Sequence, residues 1–140
     1  MSRTRPSLTL TLLQAREAAM AFFRPALNEH GLTEQQWRVI RILNQHKEVE
    51  VYRLAELACI LKPSMTGVLN RMIRDGYVIK RKSDTDQRRV HVRLTEKGEN
   101  AFAAMKEDME RNYQRIQDQF GKDKMQELLQ LLNEFKKINP

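Results

Sequence analysis

The sequence predicts a mainly α-helical fold with one small β-hairpin, and three observations lead to this fold class. Apolar residues recur with the period of an α-helix over most of the chain. Residues 77–94 are instead rich in β-branched side chains around a polar turn. A length of 140 residues, with 41% apolar and 31% charged side chains, is typical of one globular domain or one protomer of an intertwined dimer.

The first two helices have clear boundaries. Residues 10–29 carry a wide apolar surface, and Gly31 ends that helix or the turn after it. Thr33 and Gln36 form a capping box that begins a second helix. Trp37 starts the apolar stripe of this helix and is expected in the core, with the wall of a pocket as the alternative.

Two shorter helices and a hairpin follow. Residues 51–58 form an amphipathic helix, and the next helix runs from Pro63, which suits a first turn, to Gly76, which suits the residue after a helix end. Strands are predicted at 77–81 and 89–94, around the polar tip 83–88. A close helix pair followed by a hairpin is a helix-turn-helix with a wing, although the turn lacks the glycine that many such motifs carry.

Charge is concentrated in this central block. Residues 62–93 hold nine basic and three acidic side chains, a net +6 in a chain whose net charge is +7. A field so localised indicates a surface that binds a polyanion such as DNA. The alternative is a solvated basic surface without a partner.

Two long amphipathic helices end the chain. Thr95 caps the first, whose apolar residues form a narrow seam up to Phe120, and Gly121 separates it from the second, at 122–137. We expect residues 1–31 and 95–140 to form a helical dimerisation region and residues 32–94 to form a winged helix-turn-helix DNA-binding lobe. An intramolecular three-helix bundle is the alternative to the homodimer.

Several classes of protein are disfavoured by the sequence. No apolar run approaches the roughly eighteen residues of a membrane span, and the N-terminus lacks the pattern of a signal peptide, so a cytoplasmic protein is expected. Cys59, the single cysteine, cannot form an internal disulfide, and the three histidines show no metal-binding spacing. We expect no metal, no cofactor and no enzyme activity, because neither a nucleophile–base pair nor a phosphate-binding glycine loop is recognisable.

The order of these elements, with Asp86-Gln87-Arg88 followed by Leu94-Thr95-Glu96-Lys97-Gly98, resembles the MarR family of winged-helix transcription regulators. The resemblance covers nearly the whole chain. Residues 10–25, 32–43 and 58–72 resemble members that repress operons for the degradation of homoprotocatechuate (3,4-dihydroxyphenylacetate). The resemblance implies a sequence-specific repressor that binds a pseudo-palindromic operator.

The resemblance also assigns residues to DNA. It places Ser64, Thr66, Asn70 and Arg71 in the major groove, where Asn70 and Arg71 are suited to distinguish bases. Lys62, Ser64 and Thr66 are suited to position the backbone, and Arg74 adds charge to the same helix. Arg88 matches the wing arginine that enters the minor groove, and Asp86 the acid that braces the wing. Arg89 is the alternative to Arg88 if the hairpin is shifted by one residue.

The resemblance further implies a small aromatic acid, such as 4-hydroxyphenylacetate or 3,4-dihydroxyphenylacetate, bound between the dimerisation helices and the DNA-binding lobe. Such a ligand needs a cation for its carboxylate, apolar walls for its ring and polar groups for its hydroxyls. The candidate for the carboxylate is Arg16. The candidates for the apolar walls are Met20, Phe23, Trp37, Cys59 and Ile60, and those for the hydroxyls are His30, Gln35 and Arg38.

Two other functions stay open from the sequence. A thiol-responsive regulator would act through Cys59, which is expected instead to be an inert, packed side chain in an apolar turn. An architectural DNA-binding protein would bind without a ligand and with little sequence preference.

Overall fold

The computed structural model describes residues 4–86 and 88–140, which form six α-helices and one three-stranded sheet. The helices are α1 (Leu8–Glu29), α2 (Glu34–His46), α3 (Val51–Ala58), α4 (Lys62–Arg74), α5 (Glu96–Phe120) and α6 (Lys122–Phe135). The strands are β1 (Glu48–Glu50), β2 (Val78–Lys82) and β3 (Val90–Leu94). The predicted fold class, mainly α with a small β-hairpin wing, is confirmed.

The chain divides into two compact units. The first comprises Met1–Phe23 and Asp108–Pro140, and the second comprises Arg24–Glu107. Helices α1 and α5 each contribute to both units, whereas α2, α3, α4 and the sheet belong wholly to the second. None of the helices in the described part of the chain is both long and apolar enough to cross a membrane.

The second unit contains most of the buried apolar side chains. Trp37 is only 7% exposed, and its ring stacks on that of Phe102 with a centroid distance of 5.7 Å. The expectation that Trp37 is a core residue is therefore confirmed. The largest fully buried side chains of this unit come from α1 to α5: Leu27, Ile40, Leu43, Leu54, Met65, Leu69, Met72 and Met105.

The start of α2 follows the capping box read from the sequence. The backbone N–H of Gln36 donates to Thr33 Oγ1 at 3.1 Å, and the backbone N–H of Thr33 donates to Gln36 Oε1 at 3.1 Å. Two N–H groups that would otherwise lack an intrahelical partner are thus satisfied at the helix start.

The sheet has the strand order β1-β3-β2, and both pairs are antiparallel. The predicted hairpin is present, with Val92 in β3 paired with Lys80 in β2, but each strand begins one residue later than predicted. Strand β1 was missed. Its three residues are too few to form a recognisable pattern in the sequence, and they become a strand because all three pair with β3, with Val49 opposite Val92.

The end of α4 is joined to the start of α5 by a dense set of contacts. Gly76 ends α4 with a φ of +84°. The Thr95 hydroxyl donates to the carbonyl of Gly76 and accepts from the N–H of Gly98 at 3.1 Å. The Lys97 ammonium donates to the carbonyl of Asp75 and lies 4.6 Å from the centre of the Tyr77 ring. The predicted cap residue Thr95 therefore also binds the preceding helix.

Gly98 is the tightest point of this junction. A Cβ atom at this position would lie 2.3 Å from the carbonyl oxygen of Tyr77 and 2.9 Å from Leu94 Cδ2. Only glycine allows α5 to approach the chain after α4 so closely.

The first unit leaves many apolar side chains exposed. Within it, the Arg115 guanidinium lies 5.1 Å from the centre of the Phe22 ring, and Met125 is buried. The exposed apolar side chains include Leu8, Leu10, Leu13, Tyr113, Phe120, Leu128, Leu129, Leu131, Leu132 and Phe135.

Replacing Gly98 by Ala should lower the free energy of unfolding by about 1–3 kcal/mol, the usual cost of overpacking, because the added methyl group meets backbone that cannot yield. Urea unfolding measures this change. Gly67→Ala is the matched control, since its Cβ would make an ordinary contact, 3.5 Å from Arg71 Nη1. The account of the junction is wrong if both variants unfold at the same urea concentration.

Candidate nucleic-acid interface

Helix α4 has a buried side and an exposed side. Met65, Val68, Leu69 and Met72 are buried, whereas Ile73 is 37% exposed. The helical spacing of Val68, Leu69, Met72 and Ile73 predicts one packed apolar stripe, and this prediction is wrong for Ile73. The predicted DNA-binding residues of this helix are all exposed: Lys62, Ser64, Thr66, Asn70, Arg71 and Arg74.

The turn between α3 and α4 contains an unusual backbone conformation. Cys59 has a φ of +54° and a ψ of +44°, the left-handed conformation that glycine usually adopts after a helix. The N–H of Ile60 donates to the carbonyl of Ala55 at 3.0 Å, which closes a Schellman-type turn. The turn of the helix-turn-helix therefore forms without the glycine that many such motifs carry there.

The same conformation affects the thiol. Cys59 is exposed, whereas Ile60 beside it is buried. The expectation that Cys59 is packed is wrong, because the left-handed turn directs Ile60 rather than Cys59 into the core. The expectation that its thiol is inert stays a prediction.

The hairpin tip is organised by Asp86. Its Oδ1 accepts from the backbone N–H of Arg88 at 3.0 Å and lies 3.4 Å from Arg88 Nε. Its Oδ2 lies 3.9 Å from Arg89 Nε, so one carboxylate contacts both arginines. The Arg88 side chain is 93% exposed and that of Arg89 is 64% exposed. Gln87, in the Asp-x-Arg element, lies outside the described residues.

Some of the basic residues make ion pairs within the protein. Arg81 Nη2 lies 2.6 Å from Glu48 Oε1, and Arg74 Nε lies 3.1 Å from Asp75 Oδ1. A cation already paired with a carboxylate contributes less to the attraction of a phosphate. The sequence assigned Arg74 to DNA only as an added charge on α4, and no local pattern pairs Arg81 with a residue of β1.

One aromatic residue of this surface was not singled out by the sequence. Tyr52, in α3, is 57% exposed, and the ammonium of Lys62 lies 4.9 Å from the centre of its ring. The helical pattern identifies Tyr52 only as a residue on the solvent side of α3. Its contact with Lys62 depends on how α3 and α4 pack.

The predicted ligand residues belong to both units. In the first unit, Arg16 is exposed, with Nη1 3.6 Å from Glu17 Oε1, and Met20 and Phe23 are half-buried. In the second unit, Trp37 and Ile60 are buried and Cys59 is exposed. The polar candidates of the second unit are half-buried: His30, Gln35 and Arg38.

Arg38 differs from the other polar candidates. Its Nε atom is buried and has no hydrogen-bond partner among the described residues. The assignment of the ligand residues stays a prediction.

The described residues also contain no group of three or more His, Cys, Asp and Glu side chains positioned to hold a metal ion.

Comparison with known proteins identifies the family. Residues 32–90 match the model of the MarR family. The chain is 49% identical over 129 residues to the homoprotocatechuate degradative operon repressor of Escherichia coli. This alignment covers 92% of this chain and 87% of that protein.

Two crystal structures show the same fold over nearly the whole chain. The transcriptional regulator PA4135 is 69% identical, with a TM-score of 0.95 over 97% of this chain and all of that chain. The structure of NadR in complex with 4-hydroxyphenylacetate is 41% identical, with a TM-score of 0.87 over 99% of both chains.

These similarities extend well beyond residues 32–90 and confirm the class expected from the sequence, a transcriptional regulator and not an enzyme. The chain belongs to the MarR family of transcriptional regulators.

Proposed function

We propose that this protein represses an operon for the degradation of an aromatic acid and leaves its operator when a phenolic carboxylate binds. The observation that carries the proposal is the exposed, basic side of α4 beside an arginine-tipped wing. The similarity to a homoprotocatechuate degradative operon repressor, and to a protein crystallised with 4-hydroxyphenylacetate, supports this choice of operon and ligand. A repressor works where the DNA is, so we place it in the cytoplasm.

The exposed side of α4 has the chemistry for reading a major groove. Asn70 and Arg71 carry the amide and guanidinium groups that form paired hydrogen bonds with adenine and guanine. Lys62, Ser64 and Thr66, at the start of the helix, are suited to phosphate oxygens. At the wing, Asp86 holds the turn from which Arg88 projects, and Arg88 enters the minor groove with Arg89 beside it.

We infer that the working protein is a homodimer formed through the first unit. Exposed leucines on α6 include Leu128, Leu129 and Leu132, and α1 exposes Leu8 and Leu13. So large an apolar surface is unusual for a monomer and favours association with a second copy. Two copies of α4 about one DNA turn apart, 34–36 Å, would then read the two halves of a pseudo-palindrome.

Arg16 is our choice for the carboxylate of the ligand. It lies four and seven positions before Met20 and Phe23 on α1, so the three side chains share one face of that helix. The other predicted residues stay candidates for the ring and the hydroxyl groups. The ligand weakens operator binding only to the extent that it binds the non-DNA-binding conformation more tightly.

A thiol-responsive regulator is the second candidate, because Cys59 is exposed in the turn that leads into α4. Release of DNA by an aromatic acid in the presence of a reducing agent requires no thiol chemistry and separates the two functions.

Replacing Arg71 by Ala should weaken binding to an operator by about 1–3 kcal/mol, roughly 5- to 150-fold, since a base-reading arginine is lost. Fluorescence anisotropy measures this at fixed salt, with a duplex selected from a random pool by the wild-type protein. Lys106→Ala is the control, because it removes the same charge from an exposed position of α5.

Equal losses of operator affinity in Arg71→Ala and Lys106→Ala would mean that binding depends only on the net charge of the protein. Equal affinity of the wild type for selected and random duplexes would instead favour the architectural protein.

Addition of 4-hydroxyphenylacetate or 3,4-dihydroxyphenylacetate, with reducing agent present, should lower operator affinity by about 5- to 150-fold, the usual range of allosteric coupling. Arg16→Ala should lose most of this response and keep the ligand-free affinity, because Arg16 serves the ligand and not DNA. Arg53→Ala is the control, as an exposed arginine on α3 outside the proposed ligand set. An operator affinity unchanged by either acid contradicts the ligand proposal.

Replacing Leu132 by Asp should shift the protein from dimer towards monomer, since a carboxylate would be buried in an apolar interface. Sedimentation equilibrium measures the dissociation constant. Leu61→Asp is the control, because Leu61 is 77% exposed and lies in the other unit. The proposal of a homodimer is wrong if the wild-type protein sediments as a monomer at micromolar concentration.

A further inference from the structure

A cleft lies beside the DNA-reading side of α4, within the second unit. It is formed by the starts of α3 and α4 and by the wing, and its volume is about 180 Å³. Water takes about 30 Å³ per molecule in the liquid, so the cleft has room for one phosphate group with bridging waters. Its polar lining includes Tyr52, Lys62, Thr66, Lys80, Arg88 and Glu50.

The lining carries three cations and one carboxylate. Lys62 comes from α4, Lys80 from β2 and Arg88 from the wing tip, so three separate elements direct positive charge to one place. Glu50 opposes them from the residue before α3. A concave site with a net positive charge attracts an anion more strongly than the same charges on a flat surface.

Tyr52 restricts one of these cations. A lysine side chain is a flexible four-carbon stem with a strongly hydrated ammonium group. The Lys62 ammonium lies 4.9 Å from the centre of the Tyr52 ring, a cation–π distance, and both residues line the cleft. Because Tyr52 is 57% exposed, its ring contributes little to the core, and its main contact of this kind is with Lys62.

The proposed function indicates which anion belongs here. If α4 lies in a major groove and Arg88 in the adjacent minor groove, the sugar–phosphate backbone that separates the two grooves must pass between α4 and the wing tip. The cleft occupies that position, since both α4 and Arg88 line it. The inference rests on the proposed DNA binding in this respect.

We propose that the cleft binds one backbone phosphate of the operator and that Tyr52 is a positioning residue, which holds the ammonium of Lys62 towards that phosphate. Lys80 and Arg88 complete the positive lining, and Thr66 supplies a hydroxyl donor. Glu50 limits the affinity of the cleft for anions.

The test is the salt dependence of DNA binding by full-length protein. Each phosphate neutralised contributes about 0.9 to the slope of log K against log salt concentration. Lys62→Met should reduce the slope by about 0.9 for each copy of the cleft on the DNA. Tyr52→Ala should do the same, whereas Tyr52→Phe, which keeps the ring, should match the wild type. Glu50→Gln should raise the affinity.

The DNA is a duplex of about 24 base pairs, long enough for two half-sites one turn apart, selected from a random pool by the wild-type protein. Thermal unfolding monitors folding of each variant. Tyr52→Gln keeps a good helix former without a ring and replaces Tyr52→Ala if that variant unfolds early.

A second measurement locates the phosphate. Replacing single phosphates by neutral methylphosphonate should weaken wild-type binding at one position in each half-site, and Lys62→Met should be insensitive at that same position. Inorganic phosphate, exchanged for chloride at constant ionic strength, should leave DNA binding unchanged. Saturable competition by inorganic phosphate would reassign the cleft to a free anion and overturn the proposal.

The remaining outcomes separate the cleft from the wider function. If the salt slopes of Lys62→Met and Tyr52→Ala equal that of a DNA-binding wild type, the proposal that the cleft binds a phosphate is wrong and the proposed function is unaffected. A loss in Tyr52→Phe as large as in Tyr52→Ala overturns the positioning role, because the ring would then not be the active feature. If the wild-type protein binds no duplex of the pool, both the proposed function and the phosphate-binding role of the cleft are wrong.

Discussion

The position of α4 depends on the close approach between Gly98 and the carbonyl of Tyr77. A side chain at position 98 would overlap that oxygen, so the start of α5 packs directly on the chain that leaves α4. Around this contact, Thr95 and Lys97 donate to the carbonyls of Gly76 and Asp75, the two residues that follow α4. The Leu-Thr-x-x-Gly element is therefore a physical link between α4 and α5.

Helix α4 is held at both ends, and this matters for recognition. Its start follows the left-handed turn at Cys59, and its end is bound by the α5 junction. Between them, Met65, Leu69 and Met72 bury one side of the helix completely. Side chains on the opposite side thus project from a rigid base, which reduces the conformational entropy lost when they bind a partner.

The basic side chains of the second unit differ in whether a carboxylate of the protein pairs with them and in how exposed they are. Glu48 and Asp75 pair with Arg81 and Arg74, which reduces the contribution of two cations near the edge of the surface. The wing arginine Arg88 remains highly exposed despite its contact with Asp86. Desolvation and pairing, rather than the count of basic residues, decide which cations can neutralise a phosphate.

The sequence by itself determined the local features of this protein. The capping box at Thr33, the proline near the start of α4 and the helical periodicity all depend on residues within one or two turns of each other. The exposure of Cys59 follows from a left-handed turn that no glycine marks in the sequence. Only the tertiary structure decided the pairing of β1 with β3 and the contact between Tyr52 and Lys62. These features arise from pairing and packing between separate elements, and a single sequence does not encode such contacts in any local pattern.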